Sequence, residues 1–237
     1  MNEQPKLSKQ EQASINYFVK TDTLKIVGAG LLIAGLLCAW LGFRLGIVGW
    51  ILALLGTPTG FVLFLVGSSG KTNDADIDSV ITQKMCGLVI EIEHEKHYQL
   101  KLLKHLKEVT IEGYRFYDGV MIKKLKDSSL RTPDFTRSIV KILKDSLYIV
   151  SRDISLIKDD AVVNSTYEIP YEDIKLVEIE REQKRVVFNN NTYMTKPCYL
   201  HIVFGENEIR LPIVDAITSD DLVDNIKRQM GLYFEQK

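Results

Sequence analysis

Between Leu24 and Val66 the apolar positions follow one another almost without interruption, and Arg44 is the only charge after Lys25. The stretch falls into two runs, Leu24–Phe43 and Gly46–Val66, each about 20 residues, the length a helix needs to cross a hydrocarbon core. A single helix over all 43 residues would be about 64 Å long, twice the bilayer core. The break is expected at Gly42-Phe-Arg-Leu-Gly46, with Arg44 at an interface, because a charge at the bilayer centre is expensive. Trp40 and Trp50 lie either side of it, where amphipathic rings prefer to sit. The pattern predicts a transmembrane helical hairpin, 24–43 and 46–66.

Small residues recur along both runs at four-residue steps: Gly30, Ala34, Cys38 and Gly42 on the first, Gly56 and Gly60 on the second. Such stripes let helix backbones approach closely in lipid, and these six are the expected helix-packing residues. Pro58 inside the second run predicts a kink; a shallow re-entrant hairpin is the alternative to two full spans. Lys6, Lys9, Lys20 and Lys25 precede the hairpin, Lys71 and Lys84 follow it, and its tip carries only Arg44. The positive-inside rule then places both termini, and everything after the hairpin, in the cytoplasm. A second span follows the first at once and the N-terminal region contains acids, which argues against a signal peptide.

Beyond the hairpin the pattern changes twice. Residues 1–23 are polar and mixed in charge, and read as a flexible tail. Residues 67–108 read as a linker with an amphipathic helical region: Ile77, Ile81, Met85, Leu88 and Ile92 recur at three- and four-residue steps, with Gly87 a possible break. From Val109 short alternating runs separated by Gly, Asn and Asp predict about ten strands, among them Arg137–Leu143, Ser146–Val150, Ile174–Arg181, Lys184–Phe188 and Pro197–Phe204. Leu222, Val223, Ile226, Met230 and Tyr233 then share one helical face over 219–234, behind a Thr218–Asp221 cap. The fold class is α+β: a membrane hairpin, a helical linker, and an antiparallel β-barrel or sandwich (109–237) with a C-terminal capping helix.

Strands followed by one amphipathic helix resemble the pleckstrin-homology superfold. Asp145-Ser-Leu-Tyr-Ile-Val-Ser-Arg-Asp-Ile-Ser-Leu-Ile-Lys158 looks like the hairpin of bacterial PH-like and GRAM-like domains. Glu168-Ile-Pro-Tyr-Glu-Asp-Ile174 resembles the step that follows it in them. The resemblance covers Val109 to Phe234, and implies a module that binds protein segments or anionic lipid headgroups. The chain departs from the phosphoinositide-binding pattern, K-x(n)-[KR]-x-R, since Phe135 stands where a basic residue should precede Arg137. Specific phosphoinositide recognition is therefore not implied.

Charge sharpens this picture. From Lys96 to Lys144 there are 12 Lys and Arg against 5 Asp and Glu, and from Asp145 onward 11 against 17. The soluble part is thus polarised, with a candidate lipid- or partner-binding face at Lys123, Lys124, Lys126, Arg131 and Arg137, joined by Lys101 and Lys104. The segment from Lys126 to Arg137 is longer than a tight turn requires and reads as mobile. Aromatic residues are not interleaved with the basic ones, and the pI near 6.4 speaks against nucleic acid.

Catalytic and metal-binding patterns are weak. Gly67-Ser-Ser-Gly-Lys-Thr72 imitates half a phosphate-binding loop, but its first glycine would fall at Leu65, so it reads as a linker. His94 and His97, with Glu91 and Glu95, have metal-ligand spacing but fit an exposed charged face better. Cys38, Cys86 and Cys198 are scattered, odd in number and without a CxxC, so no disulfide framework is expected. Cys198 and His201 stand three apart in a strand and should face opposite ways.

Neither cofactor nor metal nor enzyme activity is expected. The reading is a membrane-anchored, non-catalytic interaction module at the cytoplasmic face, binding a protein segment, anionic lipid headgroups or its own copies. The alternative is a structural hairpin protein that oligomerises or shapes the bilayer.

Overall fold

The computed structural model describes residues 8–19, 23–68, 72–86, 88, 107–158, 161–214 and 216–237. The chain divides into two compact units, residues 15–73 and the remainder. Helix α1 (Lys9–Val19) begins at a reciprocal cap. The Glu11 amide donates to Ser8 Oγ (3.0 Å), and the Ser8 amide donates to the Glu11 carboxylate (2.7 Å). This capping box closes two amides that a helix start leaves open. The expected flexible tail therefore contains a helix.

The first unit is built on α2 (Thr23–Leu45) and α3 (Ile47–Ser68), two helices long and apolar enough to cross a membrane. Gly46 alone separates them, with φ +63°, a left-handed turn that glycine enters at little cost. The helices run antiparallel in close backbone contact. A Cβ on Gly60 would lie 2.4 Å from the Leu32 amide nitrogen, and one on Gly28 would lie 2.4 Å from that of Phe64. Gly35 meets Gly56 and Thr57 in the same way, and Gly67 meets Leu24 and Lys25. The contact stripe on α2 thus runs through Gly28 and Gly35, not through Gly30 and Ala34. Gly30 opens on empty space, and Ala34 is exposed. The offset follows from the partner, since each of these glycines lies against the backbone of the facing helix, where a side chain would not fit. Helix α3 continues through Pro58.

In the second unit, α4 (Asp74–Met85) leads to a four-stranded antiparallel sheet ordered β1-β4-β5-β6: β1 Lys107–Tyr114, β4 Asp134–Ile142, β5 Ser146–Ser155, β6 Val162–Pro170. Between β1 and β4 lies a short hairpin, β2 (Lys123–Lys124) with β3 (Leu130–Arg131). A 3-10 turn, Tyr171–Asp173, carries β6 into a second antiparallel sheet ordered β11-β10-β7: β7 Ile174–Arg181, β10 Cys198–Phe204, β11 Asn207–Ile213. Between β7 and β10 a further hairpin joins β8 (Lys184–Phe188) to β9 (Asn191–Thr195). Helix α5 (Ala216–Glu235) closes the chain, beginning ahead of the expected Thr218 cap.

The two sheets face each other across one core. Val140, Ile142, Leu147 and Ile149 on one side meet Val177, Leu200, Ile202 and Leu211 on the other, with Leu222, Val223 and Ile226 of α5. Tyr171 is fully buried at the corner, and its hydroxyl donates to the Leu143 carbonyl (2.8 Å). The sheets touch at one end, where the Val214 amide donates to the Glu112 carbonyl (2.8 Å) and Gly113 lies against Pro212 and Ile213. Among the described residues no ladder joins them into a closed barrel.

Strands β4 and β5 are buried on both faces, which explains runs such as Ile139-Val-Lys-Ile-Leu143. Their second face holds Ile139, Leu143, Tyr148 and Val150 around Leu88, just beyond α4. Helix α4 is fastened there by charge. Lys84 Nζ donates to the Ser155 carbonyl (2.8 Å) and Arg131 pairs with Asp78 (2.9 Å). Arg152, 3% exposed, donates to the Lys84 carbonyl (3.1 Å) and to Asn164 Oδ1 (2.9 Å).

A candidate cleft between two hairpins

The two small hairpins are joined by a satellite core of Val120, Ile122 and Val186, with Phe116, Leu130 and Tyr193 packed against it. Each has a turn built for its sequence. In the first, Asp127 accepts from the Ser129 amide (2.9 Å) and hydroxyl (2.7 Å), and Ser128 takes φ +69°. The segment expected to be mobile is thus a paired hairpin followed directly by β4. In the second, Asn189 and Asn190 both have positive φ (49° and 60°), the signature of a type I′ turn, and a strand follows that strand propensity alone did not suggest.

Between the hairpins and the adjoining ends of β1, β7, β10 and β11 lies an open cleft of about 760 Å³. Tyr114, Phe116, Leu130, Met194, Pro197 and Ile213 supply its apolar wall. Arg131, Arg181 and Lys196 bring positive charge to it, and Asp127 and Glu182 negative. Burial pushes the Tyr114 phenol up to about 12, so it enters as a neutral donor. Burial also raises the Cys198 thiol, against the opposing pull of Arg181, which leaves it a poor nucleophile. Arg181 itself pairs with Asp220 at 3.1 Å. A mixed-charge apolar cleft of this size suits a ligand held by shape and a few polar contacts.

The five basic positions do not form one surface. Arg131 is largely buried, bound to Asp78 and placed over the Tyr114 ring (5.9 Å). Arg137 is held across β1 and β4 by Glu112 (2.7 Å). Lys123 stands opposite Arg131 in the hairpin register and is half-buried, whereas Lys124 and Lys126 are exposed. Lys101 and Lys104, like His94, His97, Glu91 and Glu95, lie outside the described residues. Gly42 and Arg44 belong to the last turn of α2, where the backbone alone is described. Gly67 belongs to the last turn of α3 and packs on α2, a role unrelated to phosphate.

Cys198 and His201 project to different faces, as strand alternation requires. His201 is nearly buried among carboxylates on the outer face of the second sheet: Glu208 at 3.3 Å, Glu178 at 3.6 Å and Glu180 at 3.9 Å. Arg210 enters the same cluster, 3.3 Å from Glu180 and 3.4 Å from Glu182. Among the described residues no group of three His, Cys, Asp or Glu has the geometry to hold a metal. No family model, no curated protein and no solved structure matches this chain.

Proposed function

We propose that this protein is a membrane-anchored, non-catalytic interaction module in which a PH-like β unit, held at the cytoplasmic face by an integral hairpin, takes up a segment of a partner protein in the cleft between its two small hairpins. The membrane part rests on the outer surface of α2 and α3. Among the described residues, twenty large apolar side chains between Leu24 and Val66 are exposed there. At about 1 kcal/mol for each half-exposed side chain, water would oppose this surface by about 20 kcal/mol, more than the whole stability of an ordinary domain. Hydrocarbon removes that penalty. The lysines flanking the hairpin, against a tip with only Arg44, support a reading with both termini on the cytoplasmic side.

The observation that carries the interaction reading is the cleft itself. Its wall is apolar, its charges are mixed, and Met194 at its edge is 57% exposed, an adaptable surface of the kind that binds peptides. Headgroup binding has weaker support, because Arg131 and Arg137 already hold Asp78 and Glu112. A photoreactive residue at position 194 of the full chain in its native membrane tests the reading. One discrete protein adduct, lost when Leu130→Glu is added, is the expected result. Failure to form it, together with anionic-lipid binding of the reconstituted chain that Lys124→Glu and Lys126→Glu abolish, would replace the protein segment with a headgroup.

A further inference from the structure

The edges of the two sheets are treated differently. The edge of β1 lies against the end of β11, where Val214 bonds Glu112. The edge strand β7 carries Lys175, Glu178, Glu180 and Arg181, charges of the kind that keep other strands away. The edge strand β6 has no such guard. It is nine residues long, Val162-Val-Asn-Ser-Thr-Tyr-Glu-Ile-Pro170, with one charge and no proline before its last position. Among the described residues no element pairs along its outer edge. Val162 and Val163 are exposed at 40% and 58%, although β-branched side chains of this kind favour the interior of a sheet.

We infer that β6 is the interface between two copies of this chain, paired antiparallel about a two-fold axis through Thr166 into one continuous eight-stranded sheet. The occupant follows from the sequence of the strand. Two-fold symmetry requires one residue to face itself, and Thr166, the middle of the nine, gives the longest overlap. In that register Thr166 faces Thr166, Ser165 faces Tyr167, and Asn164 faces Glu168. Val163 faces Ile169, and Val162 faces Pro170. No like charges meet. The Asn164 Oδ1 already accepts from Arg152 (2.9 Å), which turns its Nδ2 amide into the available donor. That amide meets the Glu168 carboxylate of the second copy, twice by symmetry. Threonine pairs and amide–carboxylate pairs are cross-strand neighbours that favour a ladder. The interface is separate from the cleft and does not depend on it.

Register-specific disulfide formation tests the pairing in full-length chain reconstituted in vesicles at high lipid excess, with Cys38, Cys86 and Cys198 replaced by serine. Directly opposed Cα atoms in an antiparallel pair lie about 4.5–5.5 Å apart, within disulfide reach. Thr166→Cys is therefore expected to cross-link under mild oxidation at least ten-fold faster than Val162→Cys, whose side chain is exposed. The Val162 positions of two copies would stand about 26 Å apart along the strands. Val163→Lys guards against a folding artefact, since that side chain is mostly exposed. It should leave the circular dichroism unchanged and shift the solubilised protein from twice 27.0 kDa to 27.0 kDa. Equal cross-linking at both positions, or a dimer that survives Val163→Lys, would overturn the inference and move any self-association to the hairpin. A monomeric parent chain would overturn it outright.

Discussion

Arg152 is the side chain whose removal should most clearly separate α4 from the β unit. Its guanidinium is buried at 3% exposure, where a charge survives only with partners. It donates to the Lys84 carbonyl at the end of α4 (3.1 Å), more weakly to that of Cys86 (3.5 Å), and to Asn164 across β5 and β6 (2.9 Å). The carbonyl end of a helix carries partial negative charge, so a cation there is doubly favoured. Two good hydrogen bonds from a charged donor contribute about 1.5–3 kcal/mol each, while removing the ion also removes its desolvation cost. Arg152→Ala should therefore cost about 3 kcal/mol net. For a unit of this size that lowers the melting temperature by about 6–12 °C. Helix α4 should become more protease-sensitive, because the tie from Arg152 to its carbonyl end would be lost. Arg152→Lys should recover less than half, since one ammonium cannot span both the helix end and Asn164. Thermal circular dichroism of the detergent-solubilised chain, with limited proteolysis read by mass, measures both effects. A shift under 2 °C with the 74–86 segment still protected would refute the reasoning.

Other outcomes follow from the same contacts. Gly60→Leu should loosen the α2–α3 contact by about 1–3 kcal/mol or more, because its side chain would meet the Leu31 and Leu32 backbone. Gly30→Leu should leave that contact intact, and resistance of the hairpin to denaturing detergent separates the two. Tyr171→Phe should cost about 1–3 kcal/mol by stranding the Leu143 carbonyl in the core, measured by urea unfolding. Tyr114 and Tyr117 are each raised to about 12, the first mainly by burial, the second by burial and by donating to the Asp134 carboxylate. A phenol raised in the folded state keeps its full contribution below the ordinary value near 10 and loses it as pH climbs from 10 to 12. Stability should fall across that window, and Tyr114→Phe with Tyr117→Phe should flatten the fall.

Much of the architecture is written locally. The apolar run 24–66 determines two long helices by length alone, and Gly46 their reversal, because no other residue turns left-handed so cheaply. Alternation places β7 and β10, and the stripe Leu222, Val223, Ile226 sets the buried face of α5. One local signal is legible but easily passed over, the Ser8–Glu11 capping box in an otherwise polar tail; the asparagines at 189–191 signal a turn, and only the strand β9 behind it goes unannounced.

What tertiary structure alone decided is which charges and which small residues meet. The basic run from Lys123 to Arg137 reads as one surface in sequence. In the fold Arg131 reaches Asp78, 53 residues away, and Arg137 reaches Glu112 across a ladder. Sequence spacing counts charges but carries no information about a partner on another element. The stripe Gly30-Ala34-Cys38 has helical spacing as good as that of Gly28 and Gly35. Only the rotation of α2 against α3 selects between them, and that rotation is set by close contact of two backbones. The cleft, too, is made by two hairpins separated by more than 50 residues, brought together where Val120, Ile122 and Val186 close on one another.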